Sequence, residues 1–174
     1  MKTKAPFNRR SIRLPEFDYS QLGAYFVTIC VQGRETRLAT VANGELKLSR
    51  LGKIAANGFL SLLERFPLIE IPIYCVMPNH IHAIIASTNM GRGGVTPPSS
   101  TQGEGTSPLP KATLGKIVAF YKYQTTKQIN QAMNTSGKRF WQRNYYERII
   151  RNERELEATF DYIDANPANW DRDE

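Results

Sequence analysis

The chain has 174 residues, with 23 Lys and Arg against 16 Asp and Glu for a net charge of +7, and 41% of it is hydrophobic. This length suits one compact core of about 100 to 200 residues and falls short of the about 250 that a (β/α)₈ barrel takes; apolar runs such as Tyr25 to Val31 and Ile69 to Met77 are far below the roughly 20 consecutive positions of a membrane span. The basic amino terminus lacks the apolar core of a secretory signal, and Cys30 and Cys75 both sit inside apolar runs, so a soluble cytoplasmic protein with reduced thiols is expected.

After a basic arm over residues 1–18, Tyr25-Phe-Val-Thr-Ile-Cys-Val is β-branched and aromatic and ends near Gly33, which predicts a central first strand. Asn43-Gly44 between Leu38 to Val41 and Glu45 to Leu48 predicts a tight turn joining two short ribbon segments. Leu51, Ile54, Ala55, Phe59, Leu62 and Leu63 recur at helical spacing until Pro67, giving a first amphipathic helix. Ile69 to Val76 and Ile81 to Ala86 read as an antiparallel hairpin turning on Met77-Pro78-Asn79. Residues 88–112 are dominated by Gly, Pro, Ser and Thr, a composition that builds no core, and a flexible insertion serving as a spacer is expected there. Leu114, Ile117, Val118, Tyr121, Thr125 and Ile129 mark the apolar face of a second helix. The run from Trp141 to Arg151 predicts a fourth strand. Asn152 with Glu155 has the form of an N-cap and capping box, so a last helix should run from about Glu153 to Asp164 before Pro167 blocks it. The order β-α-β-β-α-β-α is an α+β, ferredoxin-like split βαβ pattern: one domain over 1–174, an antiparallel sheet with helices on one face, and an added carboxy-terminal helix.

Charge is spread unevenly along this frame. Residues 1–14 hold Lys2, Lys4, Arg9, Arg10 and Arg13 without an acid, and the stretch from Lys111 to Arg151 adds nine bases against Glu147 alone. Two basic blocks around a more neutral middle suit a track along a phosphate backbone, and they suit a solvated face that only aids solubility as well. Lys116, Lys122 and Lys127 fall on the polar side of the second helix. Tyr121 belongs to its apolar face, which leaves Tyr123 as the aromatic placed to stack on an unpaired base.

The chain's 2 histidines both lie in Asn79-His-Ile-His-Ala. On a strand His80 and His82 point to one face, where two neutral imidazoles can clamp a metal and leave positions open; two histidines that merely decorate a sheet would show the same spacing. Three-His zinc sites are excluded for lack of a third histidine, and two lone cysteines offer no zinc-finger spacing. Tyr162 and Asn166, four apart, share one face at the end of the last helix. A tyrosine can attack a phosphodiester and hold the product as a phosphotyrosine, although a phenol with an ordinary pKa of about 10 needs help from a cation. By spacing alone, Tyr145 and Tyr146 are alternatives.

Three segments carry a resemblance: Tyr74-Cys-Val-Met-Pro-Asn-His-Ile-His-Ala-Ile-Ile, Phe140-Trp-Gln-Arg-Asn-Tyr-Tyr-Glu-Arg-Ile-Ile-Arg-Asn-Glu, and Asp161-Tyr-Ile-Asp-Ala-Asn-Pro-Ala-Asn-Trp. They resemble the HUH single-tyrosine transposases of insertion-sequence type, and among these the REP-associated tyrosine transposases, to which Arg9-Arg-Ser-Ile-Arg-Leu and Tyr19 to Thr28 are also similar. The resemblance implies that His80 and His82 bind Mg²⁺ or Mn²⁺ and that Tyr162 attacks single-stranded DNA, leaving a 5′-phosphotyrosine and a free 3′-OH. It implies Asn166 as a third metal ligand, where many relatives have Gln. DNA hairpins like REP palindromes, with their flanking single strand, would be gripped by Arg9, Arg10, Arg13, Lys116, Lys122, Tyr123 and Lys127. Arg143 belongs with Trp141 and Gln142 to a family signature, and Arg148 and Arg151 either meet phosphates or pair with Glu147 and Glu155. A monomer or a homodimer can each bring Tyr162 to the histidines. The rival readings are a domesticated, catalytically inactive hairpin-binding protein and a metallohydrolase using activated water, which wants acidic ligands that residues 74–86 do not contain.

Overall fold

The computed structural model describes residues 23–42, 45–87 and 113–172. The basic arm with Arg9, Arg10 and Arg13, the Asn43-Gly44 turn and the 88–112 insertion lie outside the described residues.

Strand β1 (Ala24–Cys30) is central and pairs antiparallel with β6 (His80–Ser87) on one side and β7 (Tyr146–Ile150) on the other. On its far side β6 pairs with β4 (Ile69–Glu70) and β5 (Tyr74–Val76), which follow each other along one edge. Each helical crossover therefore joins parallel strands with an antiparallel strand between them, which is the expected split βαβ arrangement. The strand expected over 69–76 is interrupted at 71–73, because Pro72 has no N–H to give the ladder. The fourth strand is shorter than expected: Trp141 makes an isolated bridge to Val31, and regular pairing starts only at Tyr146. A separate ribbon of β2 (Ala39–Ala42) and β3 (Glu45–Leu48) flanks the position of the predicted Asn-Gly turn.

Alternation along β1 and β6 sorts the core into two layers, because neighbouring side chains point to opposite faces. Tyr25, Val27, Ile29 and Val31 with Ile81, Ala83 and Ile85 face α1 (Arg50–Arg65) and α2 (Leu114–Ala132). Ala24 and Ile84, joined by Ile150, face α3 (Glu153–Ala165) through Ile163. Two helices thus cover one face and the tyrosine-bearing helix covers the other.

The seam between α1 and α2 is tight for a specific reason. A Cβ on Gly58 would stand 2.4 Å from Thr125 Cγ2 and 2.9 Å from Tyr121 Cε2, so only a glycine lets the helices approach this closely. Tyr121 is buried there as expected, donating to Ala55 O at 2.8 Å and stacking on Phe59 at 4.8 Å. Trp141 closes the same layer, its indole Nε1–H donating to Thr125 Oγ1 at 2.8 Å, which gives this signature residue a structural task.

At the start of α3 the Asn152 side chain accepts from Glu155 N–H at 2.9 Å, as the capping pattern predicts. The Glu155 carboxylate accepts from Arg151 N–H at 3.0 Å instead of from the cap residue itself. The helix ends at Asn166, and Pro167 opens a 3-10 segment (Pro167–Arg172).

Candidate active site

The strand register brings His82 opposite Thr28 and His80 opposite Cys30, on the face that α3 covers. Both imidazoles are 5% exposed, and their Nε2 atoms converge to 2.9 Å. His80 Nδ1 donates to Asn79 Oδ1 at 2.6 Å, because an amide oxygen only accepts, and in a neutral His80 ring this leaves the lone pair on Nε2. His82 Nδ1 lies 2.9 Å from Thr28 Oγ1. Two nitrogen lone pairs cannot meet at this distance unless a proton or a cation lies between them. Two ligands about 2.1 Å from one octahedral cation stand about 3 Å apart, which the observed separation matches.

Burial first, and then the neighbouring His80 and Arg34, push His82 down to about 3. The ring is therefore neutral at ordinary pH, the form in which imidazole binds metal. Among the described residues no group of three or more His, Cys, Asp or Glu forms around the pair. A further donor is present in Asn166, which is 1% exposed and whose amide oxygen and nitrogen have no hydrogen-bond partner among the described residues. A buried amide left unpaired costs about 1–3 kcal/mol, so its retention suits a ligand better than packing. Asn166 lies in the chain between Tyr162 and Trp170, whose rings stand beside His82 and His80, at centroid distances of 5.4 Å and 6.1 Å. His80 and His82 converge as a pair able to hold a cation, and Asn166 is a candidate third ligand by its unpaired amide.

Tyr162 is 46% exposed on α3, so its phenol is accessible while its ring edge rests on the buried layer. Phe26 organises that layer: it stacks on His82 at 5.1 Å and meets Tyr162 edge to face at 5.8 Å. Arg148 lies over Phe26 at 5.8 Å and donates to Thr159 Oγ1 at 3.0 Å, tying β7 to α3 beside the tyrosine. Of the alternatives, Tyr145 packs into the opposite layer beneath Lys122, and Tyr146 is half-exposed on edge strand β7. Spacing had no means of finding Thr28, Phe26 and Trp170, since each reaches the site only through pairing or packing.

The remaining basic candidates separate into groups. Lys122, Tyr123, Lys127 and Arg143 line one open cleft with Lys138 and Arg139, which the sequence did not single out. Lys122 spends its ammonium on the backbone, donating to Arg143 O and Asn144 O at 3.2 Å each, and burial lowers it to about 8. Arg151 forms an exposed pair with Glu155 at 3.9 Å, the alternative already open for it. Lys116 is exposed in the first turn of α2, apart from the cleft. Cys30 and Cys75 are free and buried, and burial raises both thiols, Cys75 to about 11. No helix among the described residues is long and apolar enough to cross a membrane.

No protein-family model matches the chain. It is 33% identical over 172 residues to an uncharacterized protein of Haemophilus influenzae, an alignment covering 96% of this chain and 92% of that protein. It is 25% identical over 160 residues to a second H. influenzae protein, named "Putative REP-associated tyrosine transposase", with 86% of this chain and 73% of the other covered. Among solved structures, a REP-associated tyrosine transposase bound to a REP hairpin has a TM-score of 0.60 at 20% identity, covering 91% of this chain and 74% of that one. The chain belongs to one family with the uncharacterized H. influenzae protein; in sequence it is similar to the H. influenzae protein named a REP-associated tyrosine transposase, and in fold to the solved one.

Proposed function

We propose that the protein is a metal-dependent, single-tyrosine strand transferase that cuts and rejoins single-stranded DNA beside REP-like hairpins. The observation that carries this reading is the approach of Tyr162 to His82 in a single chain, next to two imidazole nitrogens that converge at 2.9 Å. The neutral His82 ring, the converging His80 nitrogen and the unpaired Asn166 amide suit a divalent cation, and an imidazole pair favours Mn²⁺ over the harder Mg²⁺. When bound, such a cation supplies Lewis-acid polarisation of the scissile phosphate and eases ionisation of a nearby phenol.

The chain's own residues then account for the rest. Tyr162 Oη forms a bond to the phosphorus and gives up its proton, the P–O3′ bond breaks, and the leaving 3′-oxygen takes up a proton. The products are a 5′-phosphotyrosine and a free 3′-OH. Attack by another 3′-OH reverses the step, so one phosphodiester is exchanged for another without nucleotide hydrolysis. Phe26 holds the Tyr162 ring against His82, and Asn79 and Thr28 hold the two imidazoles. One copy supplies both tyrosine and histidines, so a monomer is able to serve as the working unit.

The test incubates the protein with a labelled single strand carrying a REP-like hairpin and flanks, in Mn²⁺ or EDTA, followed by a denaturing gel. A metal-dependent covalent band that disappears in Tyr162→Phe is expected. Cleaved DNA without an adduct would replace the tyrosine mechanism with hydrolysis, and hairpin binding with neither product would make the protein a non-catalytic binder.

A further inference from the structure

An open cleft of about 470 Å³ lies between the carboxy-terminal half of α2 and the loop that precedes β7. Its rim carries Lys127, Lys138, Arg139 and Arg143, and among the described residues no carboxylate lines it. Arg139 also stands near enough to Lys122 to oppose its charge. Like charges gathered without an acid repel one another, and an anionic ligand relieves that repulsion. One wall is Tyr123, a large aromatic 66% exposed at the middle of this cationic surface.

The cleft is coupled to the histidine site by backbone bonds. Gln142 N–H donates to Cys30 O at 2.9 Å, its side-chain amide donates to Val31 O at 3.4 Å, and Cys30 is the register partner of His80. The loop that lines the cleft is therefore fastened to the end of β1, one strand over from His80.

We propose that this cleft is a subsite for one unpaired nucleotide of a single strand, with its base stacked on Tyr123 and the flanking phosphates held by Lys127, Lys138, Arg139 and Arg143. Its volume lies within the range of about 300 to 1,000 Å³ usual for small-ligand pockets, and it takes one nucleotide where a duplex would need a wide, continuous groove. The exposed phenol ring offers a sequence-tolerant face, and the cations follow the backbone, the two parts from which single-strand sites are built. The proposal rests on the single-strand reading of the protein and extends it to a surface away from the reacting atoms.

The experiment measures fluorescence anisotropy of a labelled oligothymidylate of about a dozen nucleotides, and of a blunt duplex of equal length, with the full chain in EDTA. Tyr123→Ala is expected to weaken oligothymidylate binding by about 5- to 150-fold, Tyr123→Phe to retain it, and the duplex to be unaffected by either. Lys138→Ala and Arg139→Ala should each lower the steepness of the salt dependence by roughly 0.7 per charge removed. Unchanged affinity in Tyr123→Ala, or an equal loss on the duplex, would overturn the assignment. Circular dichroism confirms that these exposed positions leave the fold intact. Failure of the catalytic reading shows itself separately: a wild-type protein that forms no adduct while its binding still depends on Tyr123 refutes strand transfer and leaves the cleft standing.

Discussion

Thr28→Val isolates the part of the site that prepares His82 for a cation. The substitution keeps the β-branched shape that strand β1 needs and removes one oxygen, the atom 2.9 Å from His82 Nδ1. A neutral imidazole carries a single proton. When a cation sits against Nε2, the proton is on Nδ1 and Thr28 accepts from Nδ1–H; in the metal-free pair, Nε2–H bridges to His80 Nε2 and the Thr28 hydroxyl turns to donate to Nδ1. Without that oxygen, the Nδ1–H of a cation-bound ring loses a hydrogen bond worth about 0.5–1.5 kcal/mol, which a cation-bound imidazole donates more strongly than a free one. The lost hydrogen bond alone amounts to roughly fivefold, and loss of ring orientation carries the total towards the about 10- to 100-fold typical of such supporting partners. Titration of Mn²⁺ into the protein, followed by the electron spin resonance of the free ion, reads the affinity directly, and Thr28→Ser should preserve it. Equal Mn²⁺ affinity in wild type and Thr28→Val would refute the role assigned to Thr28.

Two further outcomes follow from packing and burial. Gly58→Ala places a methyl group 2.4 Å from Thr125 Cγ2, and overpacking of up to about 3 kcal/mol exceeds the about 1 kcal/mol gained in helix propensity by up to about 2 kcal/mol, so Tm should fall by up to about 8 °C in a calorimetric scan; a rise in Tm would mean that the α1–α2 seam is looser than described. His82 is held down to about 3 in the folded chain, whereas an unfolded imidazole titrates at about 6.5. Between those values the unfolded state holds a proton that the folded state lacks, so the metal-free protein keeps its full stability above about pH 6.5 and loses about 1.4 kcal/mol per pH unit below it. Urea midpoints measured across that range in EDTA should show this slope and His82→Gln should flatten it; parallel profiles would contradict the burial of a neutral ring.

The local patterns of the chain specify most of its elements. Helical spacing marks α1 and α2, the Asn152 cap marks the start of α3, and alternation places His80 and His82 on one face of β6, because all of these depend on neighbours within a few residues. Pro72 and Trp141 mislead for the same reason: ladder pairing depends on what the opposite strand offers, and a β-rich run says nothing about where pairing stops. The candidate site shows the same division. His80, His82, Tyr162 and Asn166 stand out by residue type and spacing, and the resemblance of their segments links them. Their approach depends on α3 folding back over the face opposite α1 and α2. Thr28 becomes a partner of His82 only through the β1–β6 register, Phe26 and Trp170 only through packing, and Lys138 and Arg139 join Tyr123 only because Gln142 is tied to the end of β1. Sequence periodicity determines which way each side chain points. Which distant side chains it meets is decided by strand register and helix docking, since these are set by burial summed over the whole chain.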